Sequence, residues 1–466
     1  MVEAPTTAPA GQNELSRSLR PRHVAMITIG GIIGAGLFVG SSVAIAAAGP
    51  AIIVSYALTG LLILLIMRML GEMAVDMPHV RSFTEFTRAA LGNWAGFSVG
   101  WLYWYFWVVV IPVEAIAGAG IIQRWLPLPM WQIGAALMLA MTCVNLMSAR
   151  AYGEFEFWFA SIKVAAILVF IIVVGAHAFG YGSAGGSTFS TLVAYGGFAP
   201  RGPFAVLAAV TTVIWSMMGA EVVTIAAAES PEPARAVARM TSTIISRILL
   251  FYVGSIFVIV STVPWTRVVS GQSPFTLALD EIRFPYASEF MAAVILTAVL
   301  SCLNSSFYIA SRVLFVLASR GDAPRWLVRT NSRHVPARAV LLASAVGVAG
   351  VAAAILSPSI VFAFLVNASG AIIAVIYLAI AVSQVRTRRA RERAGDPAPS
   401  LPMWLFPWLS YVAIAGMLMV LIAMALTPWH RAEFWTSTVS VAVALLAYVV
   451  FRRGRAAALT TAPVAR

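Results

Sequence analysis

Gly30-Gly31-Ile32-Ile33-Gly34-Ala35-Gly36-Leu37-Phe38-Val39-Gly40 places five glycines among eleven residues, in the middle of an apolar run that covers residues 23–46. A run of about 20 apolar residues, rising 1.5 Å each as a helix, crosses a hydrocarbon core of about 30 Å. Glycine weakens a helix interior by roughly 0.5–1 kcal/mol relative to alanine, so a cluster of five marks a place where a spanning helix comes apart. A second reading stays open on these residues alone. Gly30 and Gly34, and again Gly36 and Gly40, have the four-residue spacing of a small-residue packing face. A dinucleotide-binding reading of Gly34-Ala35-Gly36 fails, because no strand precedes it and it lies at membrane depth.

Eleven more segments of similar length and character follow, at 50–72, 96–123, 131–149, 154–180, 203–228, 243–264, 290–318, 338–357, 360–384, 404–427 and 434–453. The chain is 61% hydrophobic and 11% charged, against roughly 45–50% apolar residues in ordinary soluble domains. That charge cannot cover the exterior of a water-soluble chain of 466 residues. Period-two alternation is absent and the segments are rich in Ala, Leu, Val and Gly, which excludes a spanning barrel. The expected fold class is an all-α polytopic membrane protein with twelve transmembrane helices. The first segment follows Arg17, Arg20 and Arg22 as a signal peptide would, but with eleven segments after it, it reads as the first helix.

The net charge of +13 acquires meaning once its residues are assigned to sides. With twelve spans, 26 of the 31 Lys and Arg residues fall on the side shared by the termini and five on the other: Arg124, Arg201, Arg267, Arg283 and Arg431. The positive-inside rule then places both termini in the cytoplasm. Nucleic-acid binding loses its support, since the basic residues are dispersed and form no aromatic-interleaved patch. Cys143 and Cys302 lie far apart in apolar segments and read as small packed hydrophobes. The five histidines lie at helix ends or in loops, which leaves no intramembrane metal set and no expected cofactor.

The sixth segment contains Val213-Ile214-Trp215-Ser216-Met217-Met218-Gly219-Ala220-Glu221-Val222-Val223-Thr224-Ile225. A lone carboxylate at mid-span costs roughly 2.5–3.5 kcal/mol on insertion scales, so Glu221 needs a partner or a wet cavity. Interruptions in the first and sixth segments are five spans apart, which is the pointer to an inverted-repeat transporter. Unwinding frees amides near Gly34, Ala35 and Gly36 that suit a carboxylate. It also frees carbonyls near Ile32 and around Trp215, Ser216 and Met218 that suit an ammonium. Gly31 and Gly219 allow close approach to the main chain, and a site of this kind fits a zwitterion.

Lys163 is the only lysine of the chain. Arginine cannot lose its proton in a protein, whereas a desolvated lysine can. Proton loading at Lys163 and simple snorkelling to the cytoplasmic face, about two turns from Glu156, both remain open on these grounds. Glu114 is a second mid-span carboxylate that either lines the same cavity or is hydrogen-bonded structurally. The aromatic run Trp101-Leu102-Tyr103-Trp104-Tyr105-Phe106-Trp107 reads as interface and packing. Glu229 reads as a loop or gate contact, and the arginines from 386 to 393 read as a solvated loop facing anionic lipid.

Several strings resemble the amino acid permease group of the amino acid–polyamine–organocation superfamily, and most closely its GABA permeases. They are Gly36-Leu37-Phe38-Val39-Gly40-Ser41, Gly71-Glu72-Met73-Ala74, Gly153-Glu154-Phe155-Glu156-Phe157-Trp158, Gly219-Ala220-Glu221 through Glu229-Ser230, Ser301-Cys302-Leu303-Asn304-Ser305, and Ser319-Arg320-Gly321-Asp322-Ala323-Pro324. The resemblance implies a leucine-transporter-like core of five plus five helices in inverted repeat, with helices 1 and 6 broken, and two peripheral helices. On that reading the chain divides into a cytoplasmic tail (1–18), a transport core (19–385), a basic cytoplasmic loop (386–403), peripheral helices (404–453) and a second tail (454–466). The resemblance further implies that the amides of Gly34, Ala35 and Gly36 hold a substrate carboxylate. It places a gate at Trp215 and proton coupling at Lys163, and it links Glu221 to the pathway. The sequence departs from the group in Ala35, where many relatives carry serine, and in Trp215 and Met217, where GABA permeases usually carry phenylalanine. It departs also in Arg81-Ser82-Phe83, where Gly-Ser-Phe is usual, and in Phe86, where tyrosine is common.

The expected function is import of a small zwitterionic amino acid, GABA first, with a proton, across the plasma (inner) membrane. The expected partners are substrate, proton and lipid bilayer. An exchanger, a permease for an α-amino acid and a sodium symporter are rivals of the same fold. A membrane enzyme lacks a nucleophile–base or metal constellation, and a channel lacks a continuous polar lining.

Overall fold

A π-helical turn, Gly36–Gly40, passes into α1, Ser41–Ala48. The computed structural model describes residues 36–77, 82–181, 186–228, 248–269, 272–356 and 371–460, with Arg22, His23, Met26, Ile33, Gly34, Val361, Leu365 and Ser369. Gly31, Ile32, Ala35, Arg81, Glu229 and the N-terminal tail lie outside the described residues. Gly49, at φ +67°, and Pro50 turn the chain into α2, Ile52–Asp76. The Ser82 side chain then accepts the Thr84 amide at 3.4 Å and caps α3, Phe83–Leu91, a short helix between the expected second and third segments.

Two long helices follow, α4 (Asn93–Ile122) and, after α5 (Met130–Met147), α6 (Ala149–Ala178). The Ser148 hydroxyl accepts the Ala151 amide at 3.0 Å and fixes the start of α6. The sixth apolar segment is two helices, α7 (Gly202–Ser216) and α8 (Val222–Ala228). Next come α9 (Ser255–Thr262), entered through a π-helical turn at Ile248–Gly254, and α10 (Pro274–Glu281). The chain continues through α11 (Ala287–Ser319), α12 (Ala337–Ala353), α13 (Ile372–Ala394), α14 (Trp408–Leu426) and α15 (Arg431–Thr460). No strand occurs among the described residues, and the class is all-α.

Among the described residues seven helical stretches are long and apolar enough to cross a bilayer, with three shorter apolar ones at Gly202–Ser216, Ile248–Thr262 and Ala337–Ala353. These helices make the chain a membrane protein. Helices α4 and α11 form its centre, 72% and 67% buried over their most apolar stretch, whereas α14 and α15 are 28% and 11% buried and lie outside. An apolar helix left uncovered by protein matches hydrocarbon.

Two segments differ from their expected form. The arginines at 386–393 stand on the last turns of α13, because Arg, Ala and Glu are good helix formers and Arg388 and Glu392 pair at 3.1 Å one turn apart. Gly395, at φ +75°, ends that helix. Helix α15 continues to Thr460 through Ala456-Ala457-Ala458, inside the expected second tail.

Candidate functional site

The two interruptions meet. A Cβ placed on Gly36 would lie 2.8 Å from Ser216 Cα and 3.4 Å from the Trp215 ring, so a glycine is what lets the two backbones approach this closely. Ile33 and Gly34 bend away from helical geometry on one side. On the other, α7 stops at Ser216 and the chain runs non-helically through Met217–Glu221. Gly219, at φ +105°, takes a conformation that costs a residue with a Cβ roughly 1–2 kcal/mol.

Glu221 stitches the second interruption. Its Oε2 accepts the Gly219 amide at 3.2 Å and the Tyr377 hydroxyl at 2.7 Å, and its Oε1 accepts the Tyr103 hydroxyl at 3.0 Å. The carboxylate is fully buried, and these three donors, from the break itself, α13 and α4, meet the desolvation that sequence reasoning said it must face. The Ser216 carbonyl accepts the Tyr252 hydroxyl at 2.9 Å. Among the described residues no hydrogen bond reaches the Met217 or Met218 carbonyl.

Lys163 is fully buried, so its ammonium does not snorkel. Nζ donates to the Ile33 carbonyl at 2.6 Å and to Ser301 Oγ at 2.8 Å, and Ser301 Oγ donates to Glu156 Oε1 at 2.6 Å. Lys163 and Glu156 are seven residues apart on α6 and share a face, while Ser301 comes from α11. A carbonyl at the first interruption is thus engaged by the protein's own ammonium. Glu156 Oε2 and Glu114 Oε2 are buried without a partner among the described residues. The Glu114 carboxylate faces the Cys302 thiol and lies near Lys163, and Cys302 Sγ is 3.9 Å from a Cβ placed on Gly34. The structure therefore brings Gly34, Gly36, Glu114, Lys163, Trp215 and Ser216 to one place, and Met218, Gly219 and Glu221 follow in the same non-helical stretch after Ser216.

Sequence reasoning did not find Glu156, Ser301, Tyr103 or Tyr377 as site residues, and read Cys302 as packing. The available signal was periodic. Ser301, Asn304, Ser305 and Tyr308 recur at helical spacing on α11, and their counterparts Asn145 and Tyr152 sit where α5 ends and α6 starts. Asn145 Nδ2 donates to Asn304 Oδ1 at 2.9 Å, and the Tyr152 and Ser305 hydroxyls lie 3.2 Å apart.

Charged contacts join separate elements at the arginine-rich end of the molecule. Glu154 Oε1 binds Arg22 at 2.5 Å and His23 at 3.0 Å. Arg88 on α3 pairs with Asp322, just beyond α11, and with Glu85 at 3.2 Å, while Arg320 reaches Glu85 at 2.8 Å. Beyond the first interruption Phe275 of α10 packs on Phe38 and Phe170, with ring centroids 5.0 and 4.6 Å apart.

The family described as amino acid permease matches residues 23–455. The gamma-aminobutyric acid permease of Bacillus subtilis (strain 168) is 45% identical over 446 residues, covering 95% of each chain. That of Escherichia coli (strain K12) is 46% identical over 424 residues, 90% of this chain and 91% of its own. The aromatic amino acid transport protein AroP of Corynebacterium glutamicum is 38% identical over 424 residues, 89% and 91% of the two chains. With broken apolar helices meeting at a buried polar centre, and with these similarities along nearly its whole length, the chain belongs to the amino acid permease family of the amino acid–polyamine–organocation superfamily, and is a membrane transporter of amino acids, not an enzyme.

Proposed function

We propose that the chain imports GABA or a related small zwitterionic amino acid by proton symport with alternating access. On this reading it has twelve spans in a five-plus-five inverted repeat, lies in the plasma (inner) membrane and keeps both termini in the cytoplasm. The observation that carries the reading is the meeting of Gly36 with Ser216 beside Lys163. Main-chain amides at Gly34, Ala35 and Gly36 take the substrate carboxylate. The carbonyls of Met217 and Met218 are supplied to its ammonium, and Trp215 closes over it. Gly31 and Ile32 belong to the same proposed substrate site.

Lys163, held by the Ile33 carbonyl, senses the first interruption directly. Losing its proton weakens its hold on that carbonyl, and Ser301 and Glu156 give the proton a bonded route away. Glu114 supplies a second carboxylate beside the same ammonium, and Glu221 keeps the sixth-span break in shape. A charge crossing 100 mV gains about 2.3 kcal/mol, roughly fiftyfold accumulation, so one proton suffices for concentrative uptake.

The test is uptake of labelled GABA into proteoliposomes under imposed proton or sodium gradients. Accumulation should follow the proton gradient, persist without sodium and vanish in Lys163→Ala; proton-driven accumulation by that variant sinks the coupling proposal. The similarity to an aromatic amino acid transport protein favours one second reading, a permease or exchanger for an α-amino acid. Competition by phenylalanine in place of GABA, or uptake that needs internal amino acid, selects it.

A further inference from the structure

We propose that the arginine-rich end of α13 is a binding site for a phosphoryl anion, carried either by an anionic phospholipid headgroup or by a soluble phosphate ester. A cavity of about 650 Å³ opens there between the end of α2 at Met77, α3 at Ala89 and α13. Small-molecule sites have volumes of about 300–1,000 Å³. Arg386, Arg389 and Arg393 recur at three- and four-residue intervals and so share a face of the helix, and Arg391 lines the cavity with them.

The charge balance of the cavity is positive. Among the described residues its acidic groups are Asp396 in the wall and Asp76, which Arg391 already holds at 2.8 Å. Arg391 also donates to the Pro397 carbonyl at 3.0 Å, and Arg389 donates to the Tyr411 hydroxyl. Arg386 and Arg393 are exposed and form no ion pair among the described residues. Arg388, on the adjoining face, is matched by Glu392. The C-terminal dipole of α13 contributes about half a negative charge, which four guanidinium groups outweigh. Forked guanidinium donors converging on one space suit a tetrahedral group with several oxygens better than a monovalent ion. The short side chain of Ala89 leaves the facing wall open, and the ion pair of Arg88 with Asp322 fixes the helix that carries it.

The test uses the purified full-length chain in nanodiscs of phosphatidylcholine alone or with phosphatidylglycerol, and a third arm in which pyrophosphate is titrated into the phosphatidylcholine nanodiscs. Retained lipid is counted by native mass spectrometry, and the denaturation midpoint is followed in every arm. Binding should fall about thirtyfold in Arg386→Gln/Arg393→Gln. It should be unchanged in Arg325→Gln/Arg329→Gln, which removes the same charge elsewhere at the same end. Both pairs are exposed, so neither substitution threatens the fold. Binding of phosphatidylglycerol identifies a lipid headgroup, and binding of pyrophosphate identifies a soluble phosphoryl anion. Equal loss in the two variants, or no loss in either, overturns the site.

Discussion

Ser301 sits between a buried ammonium and a buried carboxylate, accepting from Lys163 and donating to Glu156. Its hydroxyl lets the two charged groups communicate without touching. Ser301→Ala removes one hydrogen bond from each, and a bond to a charged group contributes about 1.5–3 kcal/mol. Proton-driven accumulation should drop at least about tenfold, whereas counterflow exchange, in which no net proton movement is needed, should fall much less. Equal losses in the two assays would show that Ser301 only supports the fold. Lys163 was singled out in the sequence as the one lysine, yet Glu156 was not, because a glutamate near the start of a helix has an ordinary explanation. The seven-residue interval between them was the readable clue.

At the scale of elements, the breaks were legible and their partners were not. Gly219 beside Glu221 and the five glycines of the first span are local signals. Tyr103 and Tyr377 reach Glu221 from 118 and 156 positions away, and no local pattern encodes such a meeting. Helix α3 was missed for another reason: it is nine residues long and carries no sustained apolar run, so only its Ser82 cap hinted at it. The contact between Gly36 and Ser216 yields a prediction at this scale. Gly36→Val introduces a branched side chain where even a Cβ meets main chain at 2.8 Å, and the two interruptions must move apart. Uptake should be abolished while the protein still reaches the membrane, measured by transport and surface labelling on the same cells. Uptake within about twofold of wild type would mean that the close approach is dispensable.

For the whole molecule, charge pairs at the arginine-rich end join elements far apart in sequence. Arg88 and Asp322 belong to α3 and the loop after α11, and their side chains are only 17% and 8% exposed. Removing one member of a fully buried pair costs about 3–5 kcal/mol and an exposed pair contributes about 0–1 kcal/mol, so Arg88→Gln in this partly buried pair should lower the denaturation midpoint in detergent and, on the proposed alternating-access cycle, favour the state open at that end. Cysteine accessibility from each side of the membrane reads that shift; an unchanged midpoint together with unchanged accessibility would exclude a closing role for the pair. The all-α class and the family were readable from composition and ordered motifs. The charge pairs between distant elements were not, because arginine at a membrane surface usually marks orientation and nothing more.

A chain with one lysine, placed out of water at the centre of the protein, has an experimental transparency that few transporters share. Feeding nitrogen-15 lysine yields a single side-chain ammonium resonance, and that resonance belongs to Lys163 without assignment. Lys163 is buried, so the rate at which an amine-directed reagent modifies it reports how often that centre becomes accessible to water.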